Sequence, residues 1–191
     1  MRIVDQNNLI KKFDFSSVIS PEDNAQAITT IKSIIDSGNY FKNSPPFQTQ
    51  ENLFGRPETF WLKYRMSFLM SVFMYLGREV RVSNMMCWSY MTNKETHEDR
   101  DKLWHDHWHP THPDAKMMSG IFYLHIPDDV EDRNTCGTEM APNGPESGNK
   151  YFVTPQDYTW TIYPSHIYHR PGIPQSNNWR FILAVDIEYV E

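Results

Sequence analysis

Along the first third of the chain, apolar residues recur every three or four positions. After Gly77 they gather into short runs rich in β-branched and aromatic side chains. The first pattern predicts helices. Ser20-Pro21-Glu22-Asp23 has the composition of a helix start: a capping hydroxyl, proline at the first helical position and acids at the positive end of the dipole. Ala27, Ile28, Ile31, Ile34 and Ile35 supply one apolar face, and Gly38 can close the helix. A loop containing Pro45-Pro46 follows. A second helix is expected from Pro57-Glu58, with Phe60, Trp61, Tyr64, Phe68, Val72 and Leu76 on its core side and Gly77 as its stop.

The second pattern predicts strands at Val80-Arg81-Val82, Asn84–Tyr90, Gly120–Ile126, Tyr158–Tyr163 and Arg180–Val190, punctuated by Pro, Gly, Asn and Asp. Helices followed by a run of strands suggest an α+β fold, with the helices packed on an antiparallel sheet or barrel. The β-rich part, roughly 110 residues, is of a size for a jelly roll. At 191 residues the chain is expected to be one domain, with 1–78 a mainly helical support and 79–191 the β core.

Composition narrows the function. With 18 Lys+Arg against 24 Asp+Glu the net charge is -6, and no basic run is present, which argues against nucleic acid as a partner. The hydrophobic content of 39% suffices for a core. Cys87 and Cys136 form no CxxC pair and read as free thiols of a reducing compartment. The N-terminus has no apolar run of signal-peptide length, and the greasiest stretch, Phe60–Leu76, is broken by Lys63, Arg65, Ser67 and Ser71. A cytoplasmic protein without a membrane span is expected.

Histidine is distributed unevenly. All eight histidines lie between His97 and His169, and five fall between His105 and His125. The densest segment is Trp104-His105-Asp106-His107-Trp108-His109-Pro110-Thr111-His112-Pro113-Asp114. Residues two apart on extended backbone share a face, so His105 with His107, or His107 with His109, can offer two imidazoles to one metal. His112-x-Asp114 would offer an imidazole and a carboxylate. Imidazole suits zinc, iron, copper and nickel. A third ligand must come from elsewhere, and His169, just after a predicted strand, is the leading candidate. His97, His125 and His166 read as a surface histidine, a strand-face histidine and a neighbour of the site. Trp104, Trp108, Trp160 and Trp179 are candidates for core or for pocket lining. Segments 128–132 and 143–149 read as solvated loops.

The order of the parts is informative. An HxH is followed by Ser119-Gly120-Ile121-Phe122-Tyr123-Leu124, then by Gly137-Thr138-Glu139, then by Tyr163-Pro164-Ser165 leading to His169, with Arg180 further on. In this order the chain resembles the iron(II)/2-oxoglutarate-dependent dioxygenase superfamily, in particular a bacterial and phage branch with an H-x-H-P, S-G-x-x-Y-L and F-P-S-x-x-x-H pattern. The resemblance spans roughly Asn84 to Tyr189. It implies a double-stranded β-helix, a form of jelly roll, with iron(II) at one mouth of the barrel. His107-Trp108-His109-Pro110 matches the HxH-P form and His169 the distal histidine. Tyr123 falls on the strand that faces the cosubstrate, and Arg180 matches the basic residue that grips the far carboxylate of 2-oxoglutarate. A guanidinium suits that role because it holds a carboxylate through charge-assisted bonds and stays charged in a pocket.

The chain also departs from the pattern. An HxH contributes no carboxylate, so the site would be three-histidine, a donor set that suits zinc as well. The register is open: the 107/109 phase is preferred, 105/107 comes second and His112-x-Asp114 third. The Arg-x-Ser of the last strand is replaced by Arg180-Phe181-Ile182, so one hydrogen bond to the cosubstrate is missing or comes from Tyr123. The resemblance implies an oxygenase, of hydroxylase type, acting on a small molecule or a protein side chain. Two competitors stand beside it: a non-catalytic metal- or ligand-binding jelly roll, and a cupin-like three-histidine dioxygenase that does not use 2-oxoglutarate.

Overall fold

A computed structural model describes residues 9–41, 47–96 and 104–190. The N-terminal residues 1–8, Pro45-Pro46, His97 and Leu103 lie outside the described residues. Helix α1 runs Pro21–Asp36 and α2 Thr59–Leu76. Among the described residues, ten strands follow in chain order: β1 (Lys11–Asp14), β2 (Tyr40–Phe41), β3 (Gln48–Thr49), β4 (Arg81–Thr92), β5 (Lys116–His125), β6 (Thr138–Ala141), β7 (Tyr151–Val153), β8 (Thr159–Pro164), β9 (Tyr168–Pro171) and β10 (Arg180–Val190). They form a seven-stranded antiparallel sheet in the order β1-β8-β5-β10-β4-β3-β2 and a three-stranded sheet in the order β7-β6-β9. This is a jelly-roll core with helices on it, the α+β architecture expected from the sequence.

Helix α1 begins at its expected cap and α2 ends at its expected glycine, while α2 starts at Thr59 with no side-chain cap from Glu58. Ser20 caps α1 in a reciprocal capping box with Asp23, and Asp23 also receives Lys63 of α2 at 2.8 Å, tying the two helices together. Burial pushes the Asp23 carboxyl up, but the bonds from Lys63 and Ser20 outweigh it and hold the carboxyl below its usual range. Gly77 ends α2 with φ 72°, a left-handed conformation that favours glycine. The front third is more than helical, because β1, β2 and β3 extend the large sheet. These strands are four residues or fewer and carry too short a pattern to stand out from a loop.

Two apolar cores flank the large sheet. On its outer side, Ala27, Ile31, Trp61, Tyr64, Phe68 and Val72 of the helices meet Cys87, Phe122, Leu124, Trp160, Leu183, Val185 and Ile187. On its inner side, between the two sheets, lie Ile121, Tyr123, Cys136, Met140, Val153, Tyr163, Ile167 and Ile182. Strand alternation sorts β5 and β10 between them: Phe122 and Leu183 face the helices, while Tyr123 and Ile182 face inward. A strand covered on both sides reads as a continuous apolar run, which is the character of Phe181–Val185.

Gly120 marks the tightest point of the outer core. A Cβ there would lie 2.6 Å from the Phe68 ring and 2.9 Å from Ile162 Cδ1. Gly120→Ala is expected to cost about 1–3 kcal/mol, the usual penalty of overpacking. Chemical denaturation would read this as a lower midpoint at an unchanged slope.

Candidate active site

The segment carrying His105 and His107 lies against β9 as an added edge of the small sheet. His105 and His169 exchange both backbone bonds, His169 N–H to His105 O at 2.8 Å and His105 N–H to His169 O at 3.1 Å. His107 N–H then donates to Ser165 O at 2.9 Å. These bonds bring the imidazoles of both His105 and His107 beside that of His169. The pairing stops at once: His109 N–H bonds back to His107 O at 3.0 Å, a tight turn. His109 is exposed and stays outside the cluster. The preferred 107/109 phase therefore does not describe the group that the fold assembles, because the chain turns where that phase needs it straight. His112 and Asp114 are exposed and 3.8 Å apart, also away from it.

One candidate ligand atom from each of His105, His107 and His169 lies within 4.8 Å of the others. Ring centroids are 4.4 Å apart for 105/169, 4.9 Å for 107/169 and 5.0 Å for 105/107. His107 Nδ1 lies 2.8 Å from Asp186 Oδ1, and His169 Nδ1 lies 3.0 Å from Ile167 O. Both partners accept, so each Nδ1 carries a proton, which leaves Nε2 as the ring nitrogen that can bind a metal. Burial, and then the neighbouring His105 and His107, hold His169 well below its usual pKa, so this imidazole stays neutral. Tyr163 Oη stands 3.3 Å from His169 Nε2. Among the described residues, these three histidines are the group whose chemistry suits a divalent transition metal.

Arg180 sits on the inner face of β10, in phase with Ile182, Ala184 and Asp186. It is 1% exposed, yet among the described residues it has no carboxylate partner. Nε donates to Thr92 Oγ1 at 2.9 Å, and Nη1 donates to the carbonyls of Cys136 at 2.7 Å, Gly172 at 3.1 Å and Gly137 at 3.4 Å. Among the described residues, Nη2 is buried with no hydrogen-bond partner. A buried charged donor left open is costly unless something accepts from it. The cage needs its glycines: a Cβ on Gly137 would lie 2.3 Å from Val153 O, and one on Gly172 2.3 Å from Thr135 O. Tyr123 pairs with Ile182 across the strands and hydrogen-bonds Thr138 Oγ1 at 2.8 Å. Burial pushes its pKa up to about 12, so it remains a neutral hydroxyl.

The inner face of the large sheet thus runs from Ser119 and Asp186 beside the histidines, through Ile121 and Ala184, to Tyr123 and Ile182, and ends at Arg180 and Thr92. Of the other candidates, His125 lies near Phe181 at the far end of β5 and His166 is exposed beside Trp108, with ring centroids 6.0 Å apart. Trp160 is core, and Trp179 packs partly buried against it. Trp104 stacks under the Arg170 guanidinium at 4.4 Å, and Arg170 is paired with Glu139 at 2.7 Å. That stack braces the histidine-bearing segment on the outer face of the small sheet. Sequence reasoning missed Asp186, Thr92 and the carbonyl cage. Asp186 had a visible signal, a carboxylate in phase with Arg180 in an otherwise apolar run; the cage is made of backbone and had none.

Neither a protein-family model nor a curated protein matches the sequence. Solved structures do match the fold. AviO1 from Streptomyces viridochromogenes aligns at 12% identity over 96% of this chain and 90% of its own, with a TM-score of 0.63. A prolyl-4-hydroxylase from Pseudomonas putida aligns at 10% identity over 94% and 92%, with a TM-score of 0.59. The non-heme alpha-ketoglutarate-dependent carbocyclase SnoK of nogalamycin biosynthesis aligns at 10% identity over 95% and 79%, with a TM-score of 0.67. The chain shares its fold with these three proteins.

Proposed function

We propose that the protein is an iron(II)- and 2-oxoglutarate-dependent oxygenase of hydroxylase type, with His105, His107 and His169 as metal ligands and Arg180 as the anchor of the cosubstrate. The observation that carries this reading is the pairing, between the facing sides of the two sheets, of three converging imidazoles with a buried guanidinium whose Nη2 is open among the described residues. The shared fold supports it, since SnoK is described as alpha-ketoglutarate dependent. The donor set fits iron: three neutral nitrogen ligands from one side leave room for a bidentate cosubstrate and oxygen. When bound, iron supplies the oxygen activation and the oxidising power that attacks a substrate C–H bond. The chain supplies position and exclusion. Asp186 and the Ile167 carbonyl hold two imidazoles in the ligating tautomer. Arg180 Nη2 donates to the far carboxylate of 2-oxoglutarate, and the Tyr123 hydroxyl is the second donor on that strand row. Ile121, Met140 and Ile182 keep the space between the sheets apolar.

The substrate is a small molecule or a protein side chain, and the setting is cytoplasmic, in keeping with Cys87 and Cys136 as buried free thiols. Among the described residues no helix is long and apolar enough to cross a membrane. Anaerobic addition of iron(II) and then 2-oxoglutarate is expected to give a visible charge-transfer band, and oxygen should then convert 2-oxoglutarate to succinate. The all-imidazole set favours zinc as a second reading. A protein that retains zinc, excludes iron and gives no band would establish that reading instead.

A further inference from the structure

A site of three neutral imidazoles leaves the full charge of a divalent ion on the metal, whereas a site with a carboxylate ligand neutralises part of it. A carboxylate is nevertheless present one hydrogen bond further out. Asp186 Oδ1 takes His107 Nδ1–H at 2.8 Å and the Ser119 hydroxyl at 2.7 Å. Ser119 Oγ lies 2.8 Å from Ser165 Oγ, which must be the donor to it, because the one Ser119 proton is committed to Asp186. Ser165 also fixes the backbone of this corner, since its carbonyl accepts from His107 N–H and its own N–H donates to Met117 O. Asp186 is therefore held from two sides, and its side chain is 20% exposed. It is not one of the three converging groups, so its contact with the metal is indirect. The nearby carboxylate of Glu188 is spent elsewhere, on the backbone and hydroxyl of Thr111. Asp186 is thus the acid directed at the cluster.

We propose that Asp186 is a positioning residue for the metal centre: through His107 it supplies the negative charge that the three-histidine set lacks and fixes the ring with Nε2 toward the ion, while Ser119 and Ser165 hold the carboxylate in place. The inference rests on the iron-site reading above. It follows from general behaviour of metal-bound histidines, in which a carboxylate on the second ring nitrogen raises ligand basicity and its loss weakens metal affinity roughly 10–100-fold.

The test compares wild type, Asp186→Asn and Asp186→Ala by titration with cobalt(II), an air-stable stand-in for iron(II), read by visible absorption. Thermal unfolding of the metal-free forms runs alongside. Asparagine keeps the size and an acceptor oxygen but removes the charge. The expected result is about 10-fold weaker cobalt binding and a shifted ligand-field band for Asp186→Asn, with a larger loss, towards 100-fold, for Asp186→Ala. Metal-free unfolding of the asparagine variant should match wild type. Cobalt affinity and spectrum unchanged in Asp186→Asn would overturn the charge role, even if the alanine variant binds weakly or fails to fold. Absence of cobalt and iron binding in the wild type would overturn the metal-site reading, and this inference with it.

Discussion

Exchange of Arg180 for alanine is expected to weaken 2-oxoglutarate binding by roughly 10- to 150-fold while leaving iron(II) binding in place. The magnitude follows from the bond lost. A hydrogen bond to a charged group contributes about 1.5–3 kcal/mol, and each 1.4 kcal/mol is tenfold in affinity. The guanidinium offers the cosubstrate a single open nitrogen, Nη2, because Nη1 and Nε are already committed to three carbonyls and Thr92. The anchor is therefore one charge-assisted bond rather than a two-pronged clamp, which keeps the expected loss below what a bidentate pair would give. The same substitution strips a donor from the carbonyls of Cys136 and Gly172, while Gly137 O keeps the Gly172 N–H at 2.8 Å, and a buried acceptor left without a partner costs about 1–3 kcal/mol. Arg180→Ala should therefore also unfold at lower denaturant. Arg180→Lys separates the two effects. A lysine ammonium keeps the charge but cannot serve the carbonyl cage and the cosubstrate at once. Its 2-oxoglutarate affinity is expected to fall with a smaller loss of stability. Titrations of iron-loaded wild type and both variants, with denaturation curves beside them, check this. Wild-type 2-oxoglutarate affinity in Arg180→Ala would remove Arg180 from the cosubstrate site and favour a three-histidine chemistry that does without 2-oxoglutarate.

Much of this scaffold is legible in the sequence because its long elements are amphipathic or doubly buried. Ser20-Pro21 begins α1, Gly77 ends α2, and the apolar run from Phe181 to Val185, flanked by β-branched and aromatic residues, reads as a strand. What escapes is whatever depends on chain segments meeting at a distance. The small sheet is built from strands of three or four residues, too short for a period to register. Its partner, the segment at His105, is a single bridge to His169 rather than a strand. The arginine cage is backbone carbonyl from two loops, and no side-chain pattern encodes it. Asp186 lies in between: its phase with Arg180 is legible in the sequence, but its value emerges only when β10 is laid beside the histidine segment. The same limit explains the register. Two HxH phases overlap in His105-Asp106-His107-Trp108-His109, and spacing alone cannot choose between them, because the choice is made by a turn. The bond from His109 N–H to His107 O closes that turn, and the exchange of bonds between His105 and His169 fixes which side faces in.

Single alanine substitutions across the five histidines at 105, 107, 109, 112 and 169 should reproduce that choice as metal affinity. His105→Ala, His107→Ala and His169→Ala each delete one converging imidazole. Each is expected to weaken iron(II) or cobalt(II) binding beyond the roughly 10–100-fold that follows from losing a partner behind a ligand. His109→Ala and His112→Ala delete exposed rings outside the cluster and are expected to bind within about twofold of wild type, in line with the small effects of surface substitutions. The comparison is internally controlled, since His107 belongs to both candidate phases and its loss distinguishes nothing, whereas His105 and His109 belong to one each. Strong loss at His109 with retention at His105 would return the site to the 107/109 phase and require the 107–109 turn to open in solution. Stability supplies an independent check of direction. His169 is 5% exposed and kept neutral by burial, so its ring is also packing in the inner core beside Tyr163. His169→Ala should therefore lower metal-free stability, while His105→Ala, with a half-buried ring, lowers it less. Metal added in excess should then raise the unfolding temperature of wild type, His109→Ala and His112→Ala more than that of the other three, because stabilisation of the folded state by a bound ion falls with its affinity.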